Sequence, residues 1–489
     1  MTDPDTLIDV RDAIASKAVS ALEMTRHVIA RTQALNPTLN AYNEVLAERA
    51  LATAKRVDDG EITGPLAGVP IALKDNLCTS VGRTTCSSKM LANFRAPYDA
   101  TVVKKLEAAG AVIIGKTNLD EFAMGSSTEN SANGPSRNPW DTTRVPGGSS
   151  GGSATALAAG LCVASLGSDT GGSIRQPAAL CNLVGLKPTY GRVSRYGLVA
   201  FASSLDQIGP FTWTVPDAAL MLNVISGHDP KDSTSTPTDV PDYLATVEQP
   251  VKNLRVGVVK EFADLPGMDP QVKAAFEAAV EQYRQLGATV VDVSLPNSAY
   301  GIAAYYVIAP CEASSNLARY DGVHFGHRTA EKVHDIIELF SKSRAEGFGE
   351  EVQRRIMIGT YALSSGYYDA YYVRAQKVRA LIKADYDKAF EQCDVILSPT
   401  SPTPAFKIGE KGADPLAMYL CDVFTVTCNI AGIPGVSLPC GFTAGEKPLP
   451  IGLQLLAPAF AEEKLLRVAR MYEAATDWHK ARPLLTEAV

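Results

Sequence analysis

Histidine is scarce in this chain of 489 residues, which contains only six imidazole side chains. They are His27, His228, His324, His327, His334 and His479. A mechanism that uses a histidine base, or a metal site rich in histidine, must be built from these few side chains. We expect no metal site in this chain.

An excess of positive charge is also lacking, because 46 Lys and Arg residues face 53 Asp and Glu residues and the net charge is -7. A protein that follows a phosphate backbone by itself is usually basic, so the composition disfavours a nucleic-acid groove on this chain. With 46% hydrophobic and 20% charged residues, the composition is that of a globular protein. The length leaves room for one large domain or for two to three ordinary ones.

The sequence has no C-x-x-C pair, and its nine cysteines are scattered and odd in number. Buried free thiols in a reducing compartment explain this pattern better than a disulfide framework does. The N-terminus lacks the basic-then-apolar order of a signal peptide. The longest uncharged stretch, residues 145–168, is rich in Gly and Ser, which argues against a membrane span. We therefore predict a cytoplasmic protein.

Hydrophobic periodicity predicts an α/β fold. Residues 7–58 have apolar positions at helical spacing, with an expected break at Asn36-Pro37. Two strand–helix–strand units follow, which are typical of a βαβ core. The first unit comprises residues 69–74, 101–109 and 111–115, and the second comprises residues 255–259, a helix through Val272 and Tyr283, and residues 288–293.

The rest of the chain adds strands at 395–398 and 451–455 and a closing helix at 462–475. Residues 229–242 are polar and resemble a domain linker, but apolar strand-like runs on both sides favour a surface loop. Residues 300–390 are rich in Tyr at helical spacing, which predicts a helical subdomain beside the sheet.

The least random part of the sequence is a Gly/Ser block at 146–153 followed by a second one at 167–175. A phosphate-binding loop of the G-x-x-x-x-G-K-[ST] type needs a lysine that is missing here. Gly147, Ser149 and Gly151 match a nucleophile elbow in spacing, but an elbow must follow a strand and residues 141–146 form a polar turn. Both interpretations are therefore disfavoured.

A serine nucleophile with a lysine base is the third interpretation. The chain contains no S-x-x-K, which excludes the arrangement of the penicillin-binding enzymes. Lys74 ends the predicted strand, and the short apolar run before it would desolvate its ammonium and lower its pKa. By position alone, however, a lysine at the end of a strand is more often a solvated charge.

Three ordered blocks, residues 68–76, 146–153 and 169–175, resemble the amidase signature family, and the resemblance extends from about residue 66 to 456. It implies an α/β fold with a large mixed central sheet covered by helices on both faces. It also implies one amidase-signature domain over residues 1–489. That domain would contain a helical N-terminal region (1–60), a signature core (66–230) and the helical subdomain (300–390).

Carried over to this sequence, the family pattern makes Ser173 the nucleophile and Ser149 a bridging serine in a cis peptide. Lys74 would receive the proton that Ser173 passes through Ser149. The backbone N–H groups of the second block would form an oxyanion hole. These are the N–H groups of Thr170, Gly171, Gly172 and Ser173. The glycines are equally compatible with a tight turn that packs a helix on the sheet.

Residues 194–210, 312–317, 362–370 and 418–422 further resemble the A subunits of tRNA-dependent amidotransferases, one branch of this family. That branch implies a glutaminase that passes ammonia to a B subunit. The B subunit would use ATP and Mg²⁺ to convert Glu-tRNA(Gln) to Gln-tRNA(Gln), with Asp-tRNA(Asn) as a second candidate substrate. It would also make most of the tRNA contacts, and a small C subunit would wrap the interface in a heterotrimer.

Glutamine carries a carboxylate and an ammonium beyond its amide, so its pocket needs a cation and an anion. The branch pattern assigns these to Arg355 and Asp422, with Tyr306 beside them; Arg354 and Tyr305 are the neighbouring alternatives. Two other functions stay open. One is a stand-alone amidase that acts on another small amide. The other is a catalytically silent scaffold, which intact Lys74, Ser149 and Ser173 disfavour.

Overall fold

A computed structural model describes residues 6–262, 265–412 and 414–485 of the chain. Its centre is a single mixed sheet of eleven strands with the order β1-β3-β2-β4-β6-β5-β10-β11-β9-β7-β8. The strands are β1 Tyr42–Val45, β2 Pro70–Lys74, β3 Val112–Thr117, β4 Ala164–Asp169, β5 Val184–Lys187, β6 Gln207–Thr212, β7 Arg255–Val259, β8 Thr289–Val293, β9 Val395–Pro399, β10 Gly435–Phe442 and β11 Pro450–Leu456.

Parallel pairs lie towards the two ends of the sheet, where β2 pairs with β3 and β4, and β7 pairs with β8 and β9. The central strands β6, β5, β10 and β11 are antiparallel to their neighbours. Both predicted βαβ units are present, because β2–β3 and β7–β8 are parallel pairs and a helix connects each. The strand after the first unit, β4, carries its carboxyl end beside that of β2.

Sixteen α-helices lie in the described residues. They are α1 Leu7–Ala15, α2 Ala21–Leu39, α3 Ala47–Asp58, α4 Thr101–Ala108, α5 Gly151–Ala158, α6 Arg175–Leu180, α7 Val215–Ile225, α8 Tyr243–Thr246, α9 Pro270–Gln285, α10 Gly301–Asn316, α11 Ile336–Gly347, α12 Glu350–Leu363, α13 Arg374–Gln392, α14 Pro415–Tyr419, α15 Val426–Ala431 and α16 Glu462–Ala474. A π-helical turn, Asp369–Val373, precedes α13. No helix in these residues is both long and apolar enough to cross a membrane.

Hydrophobic clusters cover both faces of the sheet. Along β9, Val395 and Leu397 belong to one buried cluster, whereas Ile396 between them belongs to the other. Successive side chains of a strand point to opposite faces, so the two clusters lie on opposite sides of the sheet. The predicted fold class, a large mixed sheet covered on both faces, is confirmed.

The N-terminal region departs from the prediction at two points. Helix α2 does not break at Asn36-Pro37 but continues to Leu39, where Asn40 ends it in a left-handed conformation. Pro37 has no N–H to donate to the carbonyl of Gln33, and the helix ends two residues after it, so few residues lie beyond the disturbance. The short strand β1, missed in the sequence, adds to the edge of the sheet against β3.

The other predictions of organisation agree with the structure. Residues 229–242 form an irregular loop between α7 and α8, and Asp229 anchors it through hydrogen bonds from Thr101 and Ser194. Helices α10 to α13 make the segment 300–390 helical, as predicted. All nine cysteines are free and buried, which confirms the expectation of unpaired thiols. The division into one domain with the stated boundaries stays a prediction.

Candidate active site

Lys74 is the last residue of β2, and its side chain is fully buried. Its Nζ lies 2.7 Å from Oγ of Ser149, 2.8 Å from Oγ of Ser150 and 2.9 Å from Oγ of Ser168. The backbone carbonyl of Ser168 lies at 3.3 Å. The ammonium is thus surrounded by hydroxyl groups rather than by water, and the alternative of a solvated strand-end lysine is wrong.

Burial lowers the pKa of Lys74 from 10.5 to about 7, although the negative charges of Asp120, Asp169 and Asp206 act in the opposite direction. The charged form is disfavoured because hydroxyl groups replace the water that would otherwise solvate it. A lysine with this pKa is partly neutral near physiological pH, so it can take a proton from a neighbouring hydroxyl.

Ser149 stands just before α5, directly after a cis peptide bond between Gly148 and Ser149. The backbone N–H of Asp120 donates to its carbonyl at 3.2 Å. A Cβ at position 148 would lie 2.2 Å from Oδ2 of Asp120, so only glycine fits there. The Gly/Ser block therefore serves close packing that presents Ser149 to Lys74, and the expected cis peptide is present.

Ser173 lies in the tight turn between β4 and α6, which the carboxylate of Asp169 organises. Asp169 accepts the backbone N–H groups of Gly172 at 2.9 Å and Ile174 at 3.1 Å. Arg175 holds the same carboxylate with two guanidinium nitrogens, at 3.0 and 2.9 Å. These bonds curl the chain after β4 so that Ser173 faces the Gly/Ser block.

The two serine loops are joined by a hydrogen bond from the backbone N–H of Ser150 to the carbonyl of Ser173 at 3.3 Å. Ser173 is 8% exposed, and no described residue offers its Oγ a hydrogen bond within 3.5 Å. The Lys74–Ser149 contact is thus formed, whereas the Ser149–Ser173 contact is not. Catalytic hydrogen bonds are often long before substrate binds, so Ser173 remains a suitable nucleophile.

The predicted oxyanion hole requires one correction. The N–H of Gly172 already donates to Asp169, and its positive φ of 139° and the lack of space for a Cβ beside Thr425 require glycine at this position. The N–H groups of Thr170, Gly171 and Ser173 donate no hydrogen bond to any described residue. Oxyanion donors must be unpaired before reaction, so these three are the better candidates.

Of the two neighbouring arginines, the structure favours Arg355 for the pocket. Arg355 is 3% exposed, and its guanidinium lies 5.2 Å from the ring centroid of Tyr306 and 5.5 Å from that of Tyr419. Its Nε donates to Glu351 at 2.8 Å, while the two terminal nitrogens meet no acceptor among the described residues. Arg354 points outward, with a side chain 42% exposed, and pairs with Glu351. The terminal nitrogens of Arg355 are thus available as a fork for a carboxylate.

Asp422 is buried, and its Oδ2 accepts a hydrogen bond from the hydroxyl of Ser126 at 2.6 Å. Burial raises the pKa of this carboxyl to about 7, while Ser126 and the charge of Arg355 act to lower it. Tyr305 packs against Gly171, and burial raises the pKa of its phenol, on which the charges of Arg355 and Asp422 also act. Tyr305 thus lies between the catalytic turn and the charged pair, and Tyr306 stacks on Tyr419 beside Arg355.

Several residues that shape the site were not predicted. Ser150 lies inside the Gly/Ser block, and its contact with Lys74 was missed because only one serine of that block was assigned a role. Ser168 lies inside the second Gly/Ser block but was assigned no role, whereas Asp120 and Glu351 come from separate segments that nothing in the sequence joins to the site. No group of three or more His, Cys, Asp or Glu side chains in the described ranges is arranged to hold a metal ion.

Comparison with known proteins gives one consistent result. Residues 23–466 match the family model described as Amidase. The chain is 59% identical over 481 residues to the A subunit of glutamyl-tRNA(Gln) amidotransferase from Carboxydothermus hydrogenoformans, with 98% of each chain covered. It is 56% identical over 482 residues to the protein of the same name from Thioalkalivibrio sulfidiphilus, again with 98% of each covered.

Solved structures agree with the sequence relatives. The crystal structure of the same A subunit from Thermotoga maritima superposes with a TM-score of 0.78 at 46% identity, covering 93% of this chain and 92% of that one. The peptide amidase of Stenotrophomonas maltophilia superposes with a TM-score of 0.81 at 31% identity, covering 100% and 99%. The chain belongs to the amidase signature family.

Proposed function

We propose that this chain is the glutaminase subunit of a tRNA-dependent amidotransferase. It hydrolyses glutamine to glutamate and supplies the ammonia that converts Glu-tRNA(Gln) to Gln-tRNA(Gln). One observation carries the chemistry: Lys74, buried and with a pKa lowered to about 7, contacts Ser149 at 2.7 Å beside the turn that bears Ser173. High identity to A subunits over the whole chain favours this activity over a stand-alone amidase.

In the first half of the reaction, Oγ of Ser173 attacks the side-chain amide carbon of glutamine. The proton of Ser173 passes to Ser149, whose own proton passes to neutral Lys74. The oxygen of the tetrahedral intermediate is stabilised by the backbone N–H groups of Thr170, Gly171 and Ser173. Lys74 then returns its proton through Ser149 to the amide nitrogen, the C–N bond breaks, and ammonia leaves from an acyl-enzyme ester on Ser173.

In the second half, a water molecule attacks the ester carbon and gives its proton through Ser149 to Lys74. The C–O bond to Ser173 breaks, and Lys74 returns the proton to Oγ of Ser173. The products are glutamate and regenerated enzyme, and the net reaction is glutamine plus water to glutamate plus ammonia. Every proton transfer uses the Lys74–Ser149 pair, so no histidine is needed.

Substrate choice rests on Arg355 and Asp422, which lie on the side of Tyr305 away from the catalytic turn. The two terminal nitrogens of Arg355 bind the α-carboxylate of glutamine, and Asp422 pairs with its α-ammonium. A simple amide lacks both groups, so it would leave the terminal nitrogens of Arg355 without an acceptor and Asp422 without a cationic partner, which disfavours its binding. The pocket is therefore suited to an α-amino acid amide.

The remaining steps belong to partner subunits. A B subunit uses ATP and Mg²⁺ and holds most of the tRNA, and a C subunit stabilises the assembly. The net charge of -7 supports this division, because an acidic chain is poorly suited to hold tRNA alone. Exposed tyrosines on α12 and the adjoining turn, among them Tyr361, Tyr367 and Tyr371, form an aromatic patch that a partner would cover. A cytoplasmic location stays a prediction from the sequence.

The direct test is ammonia release from glutamine by the full chain, alone and assembled with the B and C subunits. Wild type should release ammonia, and Ser173→Ala should lose the activity by a factor of about 10⁶, the scale for removing a nucleophilic serine. Release by the Ser173→Ala complex at the wild-type rate would contradict the mechanism. High activity on simple amides with none on glutamine, even in the complex, would instead favour the stand-alone amidase.

A further inference from the structure

We propose that Ser168 is a positioning residue for the base: with Ser150, it binds the two N–H groups of neutral Lys74 and so directs the lone pair of Nζ at Ser149. This inference rests on the proposed function, because it concerns the base of that reaction. It assigns a task to a buried hydroxyl at the end of β4 that the proton relay itself does not use.

The argument starts from the valence of the amine. A neutral lysine has two N–H donors and one lone pair, whereas its protonated form has three donors. Three hydroxyls surround Nζ, those of Ser149, Ser150 and Ser168, at 2.7, 2.8 and 2.9 Å. All three accept from the ammonium. When the amine is neutral, one of the three must donate instead, and that hydroxyl gives the base its proton.

Ser150 is not the donor. Its hydroxyl hydrogen is directed at the backbone carbonyl of Ser168, at 3.1 Å, and the backbone N–H of Ser168 points back to its oxygen at 3.3 Å. This reciprocal pair between the start of α5 and β4 fixes the orientation of the hydroxyl. Ser150 therefore meets Nζ with a lone pair and accepts an N–H from Lys74.

Ser168 is held as an acceptor from the opposite side. The side-chain amide of Asn76 donates to Oγ of Ser168 at 2.9 Å, and Lys74 donates to the same oxygen. The Asn76 contact leaves Oγ of Ser168 one lone pair, which faces an N–H of Lys74. The hydroxyl of Ser149 has no hydrogen-bond partner other than Lys74 among the described residues, and Ser149 is the one of the three next to the nucleophile loop. We therefore assign Ser149 as the hydroxyl that donates to the neutral amine.

A purely structural role for Ser168 is the competing explanation, and Ser165 supplies its control. Both serines lie on β4 and are buried, Ser165 at 0% and Ser168 at 2% exposure. The hydroxyl of Ser165 donates to the backbone carbonyl of Ser153 at 3.0 Å and is not among the hydrogen-bond partners of Nζ of Lys74. If Ser168 only supports the packing of β4, Ser165→Ala and Ser168→Ala should have similar effects.

The test measures glutamine hydrolysis by the full chain in complex with the B and C subunits as a function of pH. We expect Ser168→Ala to lower kcat roughly 10- to 100-fold, part of the contribution of a well-placed general base, with KM for glutamine within about twofold of wild type. The acid limb of kcat should move to lower pH, because the ammonium loses an acceptor. Ser168→Thr keeps the hydroxyl and should retain most of the wild-type kcat. Ser165→Ala should leave both kcat and its acid limb unchanged.

A wild-type kcat and acid limb in Ser168→Ala would overturn the inference, as would an equal loss in Ser165→Ala. Should Ser168→Ala fail to fold by thermal unfolding, Ser168→Cys decides the question, since sulfur matches the volume but accepts hydrogen bonds weakly. Its kcat should fall, and a wild-type value would reject the role. Wild type and Ser173→Ala are measured in parallel. If Ser173→Ala loses activity but the Ser168 variants behave as wild type, this inference fails while the proposed function stands.

Discussion

The hydroxyl of Ser126 donates a hydrogen bond to Oδ2 of Asp422 at 2.6 Å, across 296 residues of sequence. Ser126 belongs to a loop that Asp120 holds by accepting the backbone N–H groups of Thr128 and Asn130 at 2.9 and 3.1 Å. The same Asp120 contacts the cis peptide that presents Ser149. The loop thus connects the proton relay with the predicted ammonium site.

Removing this hydrogen bond should weaken glutamine binding. In Ser126→Ala the buried carboxylate of Asp422 loses a donor, so its negative charge is less stable and it pairs less well with the α-ammonium. We expect KM for glutamine to rise roughly tenfold, since a hydrogen bond to a charged group contributes about 1.5 kcal/mol or more. Steady-state kinetics measure this. Ser131→Ala in the same loop, whose hydroxyl bonds to Asn118 instead, should leave KM unchanged, and equal effects would contradict the assignment.

The two arginines of α12 should differ sharply when each is changed to lysine. Lysine cannot reproduce the planar fork, so Arg355→Lys should raise KM for glutamine by roughly 30-fold or more, equivalent to about 2 kcal/mol. Arg354→Lys keeps the charge of an outward-pointing side chain and should change KM less than about twofold. The reverse order of effects would show that Arg354 binds the carboxylate.

The pH dependence should separate the base from the ammonium site. In the proposed mechanism Lys74 acts as the base when neutral, and its pKa of about 7 means that kcat should rise with pH through neutrality and level off above it. Asp422, the proposed ammonium partner, must be a carboxylate for that role, and its pKa is raised to about 7. Hence kcat/KM should fall more steeply than kcat below pH 7, with a logarithmic slope approaching about 2. A kcat that is flat from pH 5 to 9 would reject Lys74 as the base.

A methyl group should not be tolerated at Gly172. Its φ of 139° is unfavourable for any residue with a side chain, and a Cβ would lie 2.2 Å from Oγ1 of Thr425. Gly172→Ala should lose several kcal/mol of stability, measured as a lower thermal midpoint, or should fail to accumulate as folded protein. Gly412→Ala provides the control, because its nearest neighbour is 3.6 Å away, and it should unfold within about 1 °C of wild type.

The aromatic patch on α12 gives a prediction about assembly. Tyr361 is 51% exposed and packs against Tyr367 and Tyr371. Tyr361→Glu places a charge on this patch, so it should weaken co-purification with the B and C subunits at least tenfold while leaving the thermal midpoint of the isolated chain unchanged. Val323→Glu, at an exposed apolar residue outside the patch, should assemble as wild type does. Undiminished assembly of Tyr361→Glu would show that the partner binds elsewhere.

Periodicity predicted many elements because local sequence determines them: β2, β7, β9 and α16 lie within a residue or two of the expected bounds. The short strand β1 was missed because four residues with only one buried side chain carry no clear alternation. Helix α2 continues past Pro37 by only two residues, so the proline marked the end of the helix closely but not its last residue.

Motifs likewise located Lys74, Ser149 and Ser173, but they did not reveal the environment that gives Lys74 its pKa. That environment is complete burial, which lowers the pKa, with the hydroxyls of Ser150 and Ser168 in contact with Nζ; Ser168 reaches Lys74 through the parallel pairing of β2 with β4. Nor did the sequence show that the carboxylate of Asp169 accepts a hydrogen bond from the N–H of Gly172. Such contacts are products of tertiary packing, and local patterns do not record them.

The buried pair of Asp169 and Arg175 has a consequence for how the enzyme is made. Arg175 also donates to the carbonyl of Thr425 at 3.2 Å and to Asn429 at 2.6 Å, so the nucleophile turn is completed by residues near the C-terminus. A ribosome delivers Lys74, Ser149 and Ser173 long before it delivers Asp422 and Thr425. During that interval the turn lacks its support from Thr425 and Asn429, so we expect the site to form only after this later part of the chain has folded.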